Sequence, residues 1–313
     1  MENKPLVSVI IPNYNHAPYL RQRIESVLNQ TYDNFEVIIL DDCSTDNSVD
    51  IINSYKSDRH ISNIVINTQN SGNTFLQWEK GINLANGSLI WIAESDDYAD
   101  IHLLEKAVEG FNSHPSSILT FFHSEFVDQN SDILDWTWER NQCTGTTLHN
   151  GKKYAREYLT FHNMLYNASM IVFKKQAALH VNPKYKTLRH CGDWMFWFDM
   201  TQQGDLLEIP EKLNFFRQHA NKVSNKSHTN NAKDTEDAPI IDRISRKLNL
   251  TKYQLKCLRG RMTKRMKRVP SDIRQALASQ YPKLYSGNWS DIVTYEIDKF
   301  FNLSKLYFRK HRA

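Results

Sequence analysis

The chain has little that would staple it, span a bilayer or export it. Its four cysteines, Cys43, Cys143, Cys191 and Cys257, lie far apart and form no Cys-x-x-Cys pair, so neither a disulfide framework nor a cysteine zinc site is indicated. No run of about eighteen apolar residues occurs, so no segment reads as a membrane span. No export signal precedes the strand-like Val7 to Ile11, and the expectation is a cytoplasmic protein in a reducing compartment. No Gly-x-Gly-x-x-Gly opens the first helix, which argues against a dehydrogenase. A nucleotidyltransferase would need a glycine-rich basic loop after the first strand, and Pro12-Asn13-Tyr14-Asn15-His16 stands there instead. Internal repeats are absent too. No aromatic platform interleaves with the clustered positive charges, which argues against nucleic acid as a partner.

What is present fits an ordinary enzyme. With 313 residues, 40% hydrophobic and 24% charged, the chain can bury a full core and still build a second module. Through the first hundred residues apolar runs alternate with helical patterns: Val7 to Ile11, Tyr19 to Asn29, Phe35 to Leu40, Ser48 to Tyr55, Ile64 to Asn67, Phe75 to Ala85 and Leu89 to Ala93. Such alternation predicts right-handed βαβ units and a parallel sheet. A helix over Ile101 to Phe111, strands over Ser117 to His123 and Met170 to Phe173, and a helix over Trp194 to Met200 follow. The polar stretch from Asp128 to about Gly151 reads as loop or irregular hairpin. The polar stretch His228 to Asp237 reads as a boundary or mobile loop, which divides the chain into 1–228 and a basic, helix-patterned 229–313.

Two acidic clusters end apolar runs: Asp41-Asp42 after Leu40, and Glu94-Ser95-Asp96-Asp97 after Ala93. In open α/β sheets ligands bind beyond the carboxyl ends of the strands, where both clusters fall. Like charges gathered there call for a cation or a polar ligand, and a divalent metal with a phosphorylated substrate supplies both.

Four segments together, Val7 to Asn15, Leu40 to Asn47, Trp91 to Asp97 and Gly192-Asp193-Trp194, resemble in order and spacing the pattern of glycosyltransferase family 2 on the GT-A fold. The resemblance covers roughly residues 4 to 225. It implies a mostly parallel, Rossmann-like α/β sheet flanked by helices, with the basic region as a carboxyl-terminal helical appendage. It further implies transfer of a sugar, with inversion, from a nucleotide-diphosphate sugar (a UDP-sugar above all) to a glycan or lipid-linked acceptor, in surface polysaccharide or glycolipid assembly. An alternative keeps the fold without catalysis, as a glycan-binding or assembly subunit.

The resemblance also implies roles. Pro12, Asn13, Tyr14 and Asn15 form a nucleotide loop, and Asp41 and Asp42 accept hydrogen bonds from base or ribose. Asp96 and Asp97 hold Mn2+ or Mg2+. Asp193 is the base that deprotonates the acceptor, in a pocket made partly apolar by Trp194, Phe196 and Trp197. Arg217 pairs with the diphosphate, and His219 is a further metal ligand, a phosphate contact or an ordinary satisfied histidine. Two departures stand out. Glu94 replaces the leading aspartate of the metal motif, and the Arg-Asn pair that many relatives carry after a glycine is missing from the segment containing Gly72, Trp78 and Lys80. Gly72 and Lys80 are retained as donor contacts, Lys80 as a substitute, and Glu94 as a donor contact. Trp136, Trp138 and Tyr166 are read as sugar-stacking rings or as core. The basic tail is read either as a surface for anionic lipid, at the inner face of the membrane, or as solvated helix faces packed on the catalytic part.

Overall fold

The computed structural model describes residues 4–135, 144–219, 232–301 and 303–304. The expectations for Trp136 and Trp138, and Cys143, lie outside the described residues. A nine-stranded sheet forms the centre. Its first half follows the expected alternation: β1 (Val7–Asn13), α1 (Ala17–Leu28), β2 (Phe35–Asp41), α2 (Ser48–Ser54), β3 (Ile61–Ile66), α3 (Thr74–Leu84) and β4 (Leu89–Ile92). These strands pair in parallel in the order β3-β2-β1-β4. Every residue of β1, β2 and β4 is buried, as expected for strands covered by helices on both faces. Pro12 is tolerated in central β1 because the β4 pairing has already ended at Ile10↔Ile92.

The second half is mixed rather than parallel. It contains β5 (Tyr98–Ala99), α4 (Leu103–Ser113), β6 (Ser117–Val127), β7 (Thr147–His149), α5 (Gly151–Tyr154), β8 (Ile171–Lys174), α6 (Lys175–Ala178), α7 (Gly192–Thr201) and β9 (Asp205–Arg217). β8 runs antiparallel between β4 and β6, β9 lies parallel to β6, and β5 and β7 pair antiparallel with β9. The segment Leu213 to Arg217, which carries the arginine expected to pair with the diphosphate, is the end of this long strand. Its pattern was hidden by Pro210, Glu211 and Lys212, which fall where the β6 register shifts.

The carboxyl-terminal region is helical: α8 (Ala232–Lys247), α9 (Lys252–Met266), α10 (Ser271–Gln280), α11 (Pro282–Tyr285) and α12 (Trp289–Phe301). The expected polar boundary runs into α8, so Glu236 and Asp237 belong to a helix. These helices share a core with the sheet, because Ile240, Ile241, Ile244, Leu258 and Met262 join the same buried cluster as Trp78, Phe173, Phe196 and Trp197. Polar contacts reinforce the join. Glu236 accepts from the backbone N–H of Arg189, His190 and Cys191, just ahead of α7, and Arg243 grips Asp199 of α7 through two bonds of 2.7 and 2.9 Å.

Candidate active site

The carboxyl ends of β1, β2 and β4 meet one another, and each carries its polar groups in a turn. After β1, Asn15 adopts φ 54 and Cys43 after β2 adopts φ 63, left-handed conformations that asparagine tolerates and cysteine seldom takes. The two turns are laced together. Asn13 Nδ2 donates to Asp41 at 2.8 Å, Ser44 Oγ donates to Asp41 at 2.6 Å, and Asn15 N donates to Ser44 Oγ at 2.9 Å. Asp41 is fully buried and also accepts from Ser44 N, so its carboxylate shapes the loop after β1 from within. Tyr14, at the tip, stays exposed.

Asp42 is equally occupied. Its oxygens accept from Asn67 Nδ2, from Ser71 N and Oγ, and from Gln77 Nε2, at 2.7 to 3.1 Å. A carboxylate offers about four lone-pair positions, and these four donors occupy them, two of them from Ser71 on Oδ2. Lys80 sits one step back, donating to Asn67 Oδ1 at 2.6 Å. Gly72 turns the same loop with φ +68. Gln77 and Trp78 are neighbours on α3, and Trp78 Nε1 donates to Glu94 Oε1 at 2.9 Å, so one helix ties the second strand's acid to the fourth's.

The acidic turn itself separates Asp96 from Asp97. Asp97 N donates to Glu94 O, closing the turn, and the two carboxylates take different surroundings. Asp97, expected as a metal ligand, is corrected by its environment. It is 1% exposed, with Oδ2 accepting from Asn167 and Ser169 side chains at 2.7 and 2.8 Å and Oδ1 accepting from Arg217 N at 2.9 Å. Asp96 is more open and approaches His219 Nε2 at 3.0 Å. His16, at the end of the β1 loop, packs edge-on to His219 with ring centroids 5.7 Å apart and bonds Ser95 Oγ at 2.8 Å. One ligand atom each from His16, Asp96 and His219 lies within 4.8 Å of the others. Two of these three were expected from sequence; His16 was not.

Arg217 also needs correction as a diphosphate clamp. It is 1% exposed, and its guanidinium is committed to Asp96 O, Asp128 O, Gln129 O, Ser131 Oγ and Gln22 Oε1. The residue supports the turn that carries Asp96. A second buried cation does the same from the other side. Arg23 of α1 donates to Glu94 O at 2.9 Å and lies over the Trp91 ring, while its Nη1 and Nη2 find no hydrogen-bond partner among the described residues. Burial pulls the Arg23 guanidinium down to about 10 against the charges of Asp97, Asp96 and Glu94. Glu94 responds the opposite way: burial first, then the Asp96 charge, pushes its carboxyl up to about 8, despite the bond from Trp78.

Asp193 lies in the first turn of α7, where the helix dipole favours a negative charge, and Asn163 Nδ2 donates to its Oδ2 at 2.7 Å. Gly192 permits the close approach beneath it, since a Cβ there would meet Tyr185 O at 2.4 Å. Trp194, Phe196 and Trp197 are buried; Trp194 donates to Leu159 O, and Phe196 and Trp197 pack against Trp78. A strap connects Asp193 to the acidic turn. Asn163 holds Asp193, while Asn167 and Ser169 hold Asp97, and four residues of chain span at most about 14 Å. Asn163, Asn167 and Ser169 were missed as supports because nothing in an isolated Asn or Ser marks its partner. Tyr166 packs against Phe126 and Phe216.

Comparison with known proteins agrees with this architecture. Residues 8–173 match the description of glycosyl transferase family 2. An uncharacterized glycosyltransferase of Haemophilus influenzae is 30% identical over 229 residues, covering 72% of this chain and 69% of that one. A putative teichuronic acid biosynthesis glycosyltransferase, TuaG of Bacillus subtilis, is 29% identical over 197 residues, covering 61% and 71%. Among solved structures, S. aureus TarS 1–349 in complex with UDP-GlcNAc superposes with a TM-score of 0.66 at 16% identity, covering 97% of this chain and 93% of that one, which shows a shared fold. The chain belongs to glycosyl transferase family 2 and is a glycosyltransferase with the GT-A architecture.

Proposed function

We propose that the chain is an inverting, metal-dependent transferase. It moves a sugar from a nucleotide-diphosphate donor, a UDP-sugar, to an acceptor hydroxyl on a glycan or lipid-linked glycan, in the cytoplasm and in the assembly of a surface polysaccharide. The observation that carries this reading is the meeting of His16, Asp96 and His219 at the ends of β1, β4 and β9, on a turn strapped to Asp193. The names of TuaG and of the TarS complex with UDP-GlcNAc support the polymer and the donor class.

Two imidazoles and one carboxylate suit Mn2+ better than Mg2+, which prefers an all-oxygen shell. A bound divalent cation would offset the charge developing on the departing nucleotide diphosphate. The chain's own groups supply the rest. Asn13 to Asn15 and the loop braced by Asp42 would hold the nucleoside, with Glu94 beside it, and Arg217 and Arg23 hold the turn under Asp96. In the transfer step the anomeric carbon loses its bond to the diphosphate oxygen and gains one to the acceptor oxygen, whose proton passes to Asp193. We assign this chemistry to residues 1–228 and the bracing of α7 to residues 229–313.

The test is hydrolysis of a panel of UDP- and GDP-sugars with Mn2+, with Mg2+ and with chelator, the released anomer being followed by NMR. Metal-dependent release of the inverted sugar from a UDP donor is expected. Release that is indifferent to chelator, or that keeps the donor's anomeric configuration, would overturn the reading.

A further inference from the structure

We propose that Glu236, on α8 of the carboxyl-terminal region, is a positioning residue for Asp193; the proposal rests on the reading of Asp193 as the base. The Glu236 carboxylate takes three successive backbone N–H groups, those of Arg189 at 2.8 Å, His190 at 2.7 Å and Cys191 at 2.9 Å. Asp193 follows Cys191 by two residues, in the first turn of α7. The clamp therefore closes on the last stretch of chain before the base.

The segment 186–191 is held at both ends. Asn73, the N-cap of α3, donates to Lys186 O and Leu188 O at 2.7 and 3.1 Å, from the same loop whose Ser71 bonds Asp42. The donor side thus fixes the start of the segment, and Glu236 fixes its end. Gly192 then packs against Tyr185 O, where a Cβ would stand at 2.4 Å, so the chain enters α7 by one tight path. The clamp is itself anchored. Asp237, the next residue of α8, is 1% exposed, accepts from Cys191 Sγ at 3.4 Å and is paired with Arg265 of α9.

Among the described residues Glu236 meets no cation, and its charge is spent on backbone N–H groups alone. Bonds of this charge-assisted kind are about twice as strong as neutral ones, so the path of residues 189–191 depends on this one side chain. Asn163 orients the Asp193 carboxyl, and Glu236 fixes the backbone from which that carboxyl projects. A base must lie within hydrogen-bond reach of the proton it takes, and a loosened backbone misplaces it.

The test compares the full chain as wild type, Glu236→Gln, Asp193→Asn and the double variant in metal-dependent hydrolysis of the UDP-sugar that the donor panel selects. Glu236→Gln leaves one acceptor oxygen for three donors and should lower kcat by about 10- to 100-fold, the cost of misplacing a reacting group by about 1 Å. The KM for the donor, and the stabilisation given by UDP with Mn2+, should stay within about twofold. On the Asp193→Asn background the same change should cost no further turnover, because the group it positions is already gone. Hydrogen–deuterium exchange of the ligand-free protein gives a readout apart from activity: the amides of residues 189–191 should exchange faster in Glu236→Gln. Glu236→Asp keeps the charge on a shorter arm and should fall between wild type and Glu236→Gln in both measurements, which preserves the test where the glutamine variant does not fold. Unchanged exchange in this segment, or an equal fold-loss of turnover with and without Asp193, would overturn the proposal. Normal turnover of Glu236→Gln beside an impaired Asp193→Asn would overturn it alone, whereas normal turnover of Asp193→Asn would overturn the base assignment beneath it.

Discussion

The indole of Trp78 donates its Nε1–H to Glu94 at 2.9 Å, tying α3 to the acid that leads the turn after β4. Where the resemblance leads one to expect an aspartate on the turn, this chain has a longer acid, and it meets a tryptophan of α3. The extra methylene of Glu94 carries its carboxyl to α3, and Trp78 in turn packs against Phe75, Phe196 and Trp197.

That contact predicts a coupling. Trp78→Phe keeps an aromatic ring in the packed site but removes the donor, and Glu94→Asp withdraws the acceptor. Each should cost about 1–3 kcal/mol in urea unfolding, as expected when a buried polar group loses its partner. The double variant should cost less than the sum, because the second change finds the bond already broken. Strictly additive losses would show that the bond contributes nothing to stability.

Neighbouring aspartates should behave differently. Asp96→Asn, His16→Ala and His219→Ala are each expected to erase the Mn2+-dependent rise in melting temperature given by UDP, with little change in the metal-free protein. Asp97→Asn should instead lower the stability of the metal-free protein by about 2–4 kcal/mol, because Asn167, Ser169 and the Arg217 N–H lose a buried charged acceptor. An Asp97→Asn protein of normal stability that no longer responds to Mn2+ would return Asp97 to the metal set.

The strands and the acidic turns were legible because local rules fix them: unbroken apolar runs make buried strands, and ligand groups gather at their carboxyl ends. Direction within a turn was not legible. Asp96 and Asp97 are adjacent, yet one meets His219 and the other Ser169, choices made by residues 123 and 72 positions away. Arg217 shows the same limit, since a cation at a strand end reads alike whether it faces a phosphate or five protein oxygens. His16 could have been found by its place directly after the first strand, but only the fold brings it to Asp96. β9 escaped because its middle is charged and carries Pro210, a price its pairing with β6 tolerates through shifts in register.

Asp193→Asn should lower turnover by about 10²- to 10⁴-fold, the usual worth of a positioned base, while leaving the dissociation constant for the UDP-sugar within about threefold. Asn163→Ala, which releases the carboxylate held at 2.7 Å, should lower turnover less and also spare donor binding. Steady-state kinetics with titration calorimetry separates the two effects. Near-normal turnover in Asp193→Asn would place the base on another residue.

Away from the site, Glu208 of β9 sets a pH dependence of stability. Burial alone would raise its pKa, but His123 and His149 donate to its two oxygens at 2.9 and 2.6 Å and hold it down at about 2, against an ordinary value of 4.5. The folded protein therefore binds this proton less readily than the unfolded chain. The resulting stability is fully present above about 4.5 and drains away as pH falls toward 2. A shift of this size corresponds to roughly 3 kcal/mol. Glu208→Gln should be less stable than wild type by up to about that amount at pH 6, and the gap should narrow steadily below pH 4.5 in urea titrations. A gap that stays constant down to pH 3 would show that the carboxylate's charge is not what His123 and His149 stabilise.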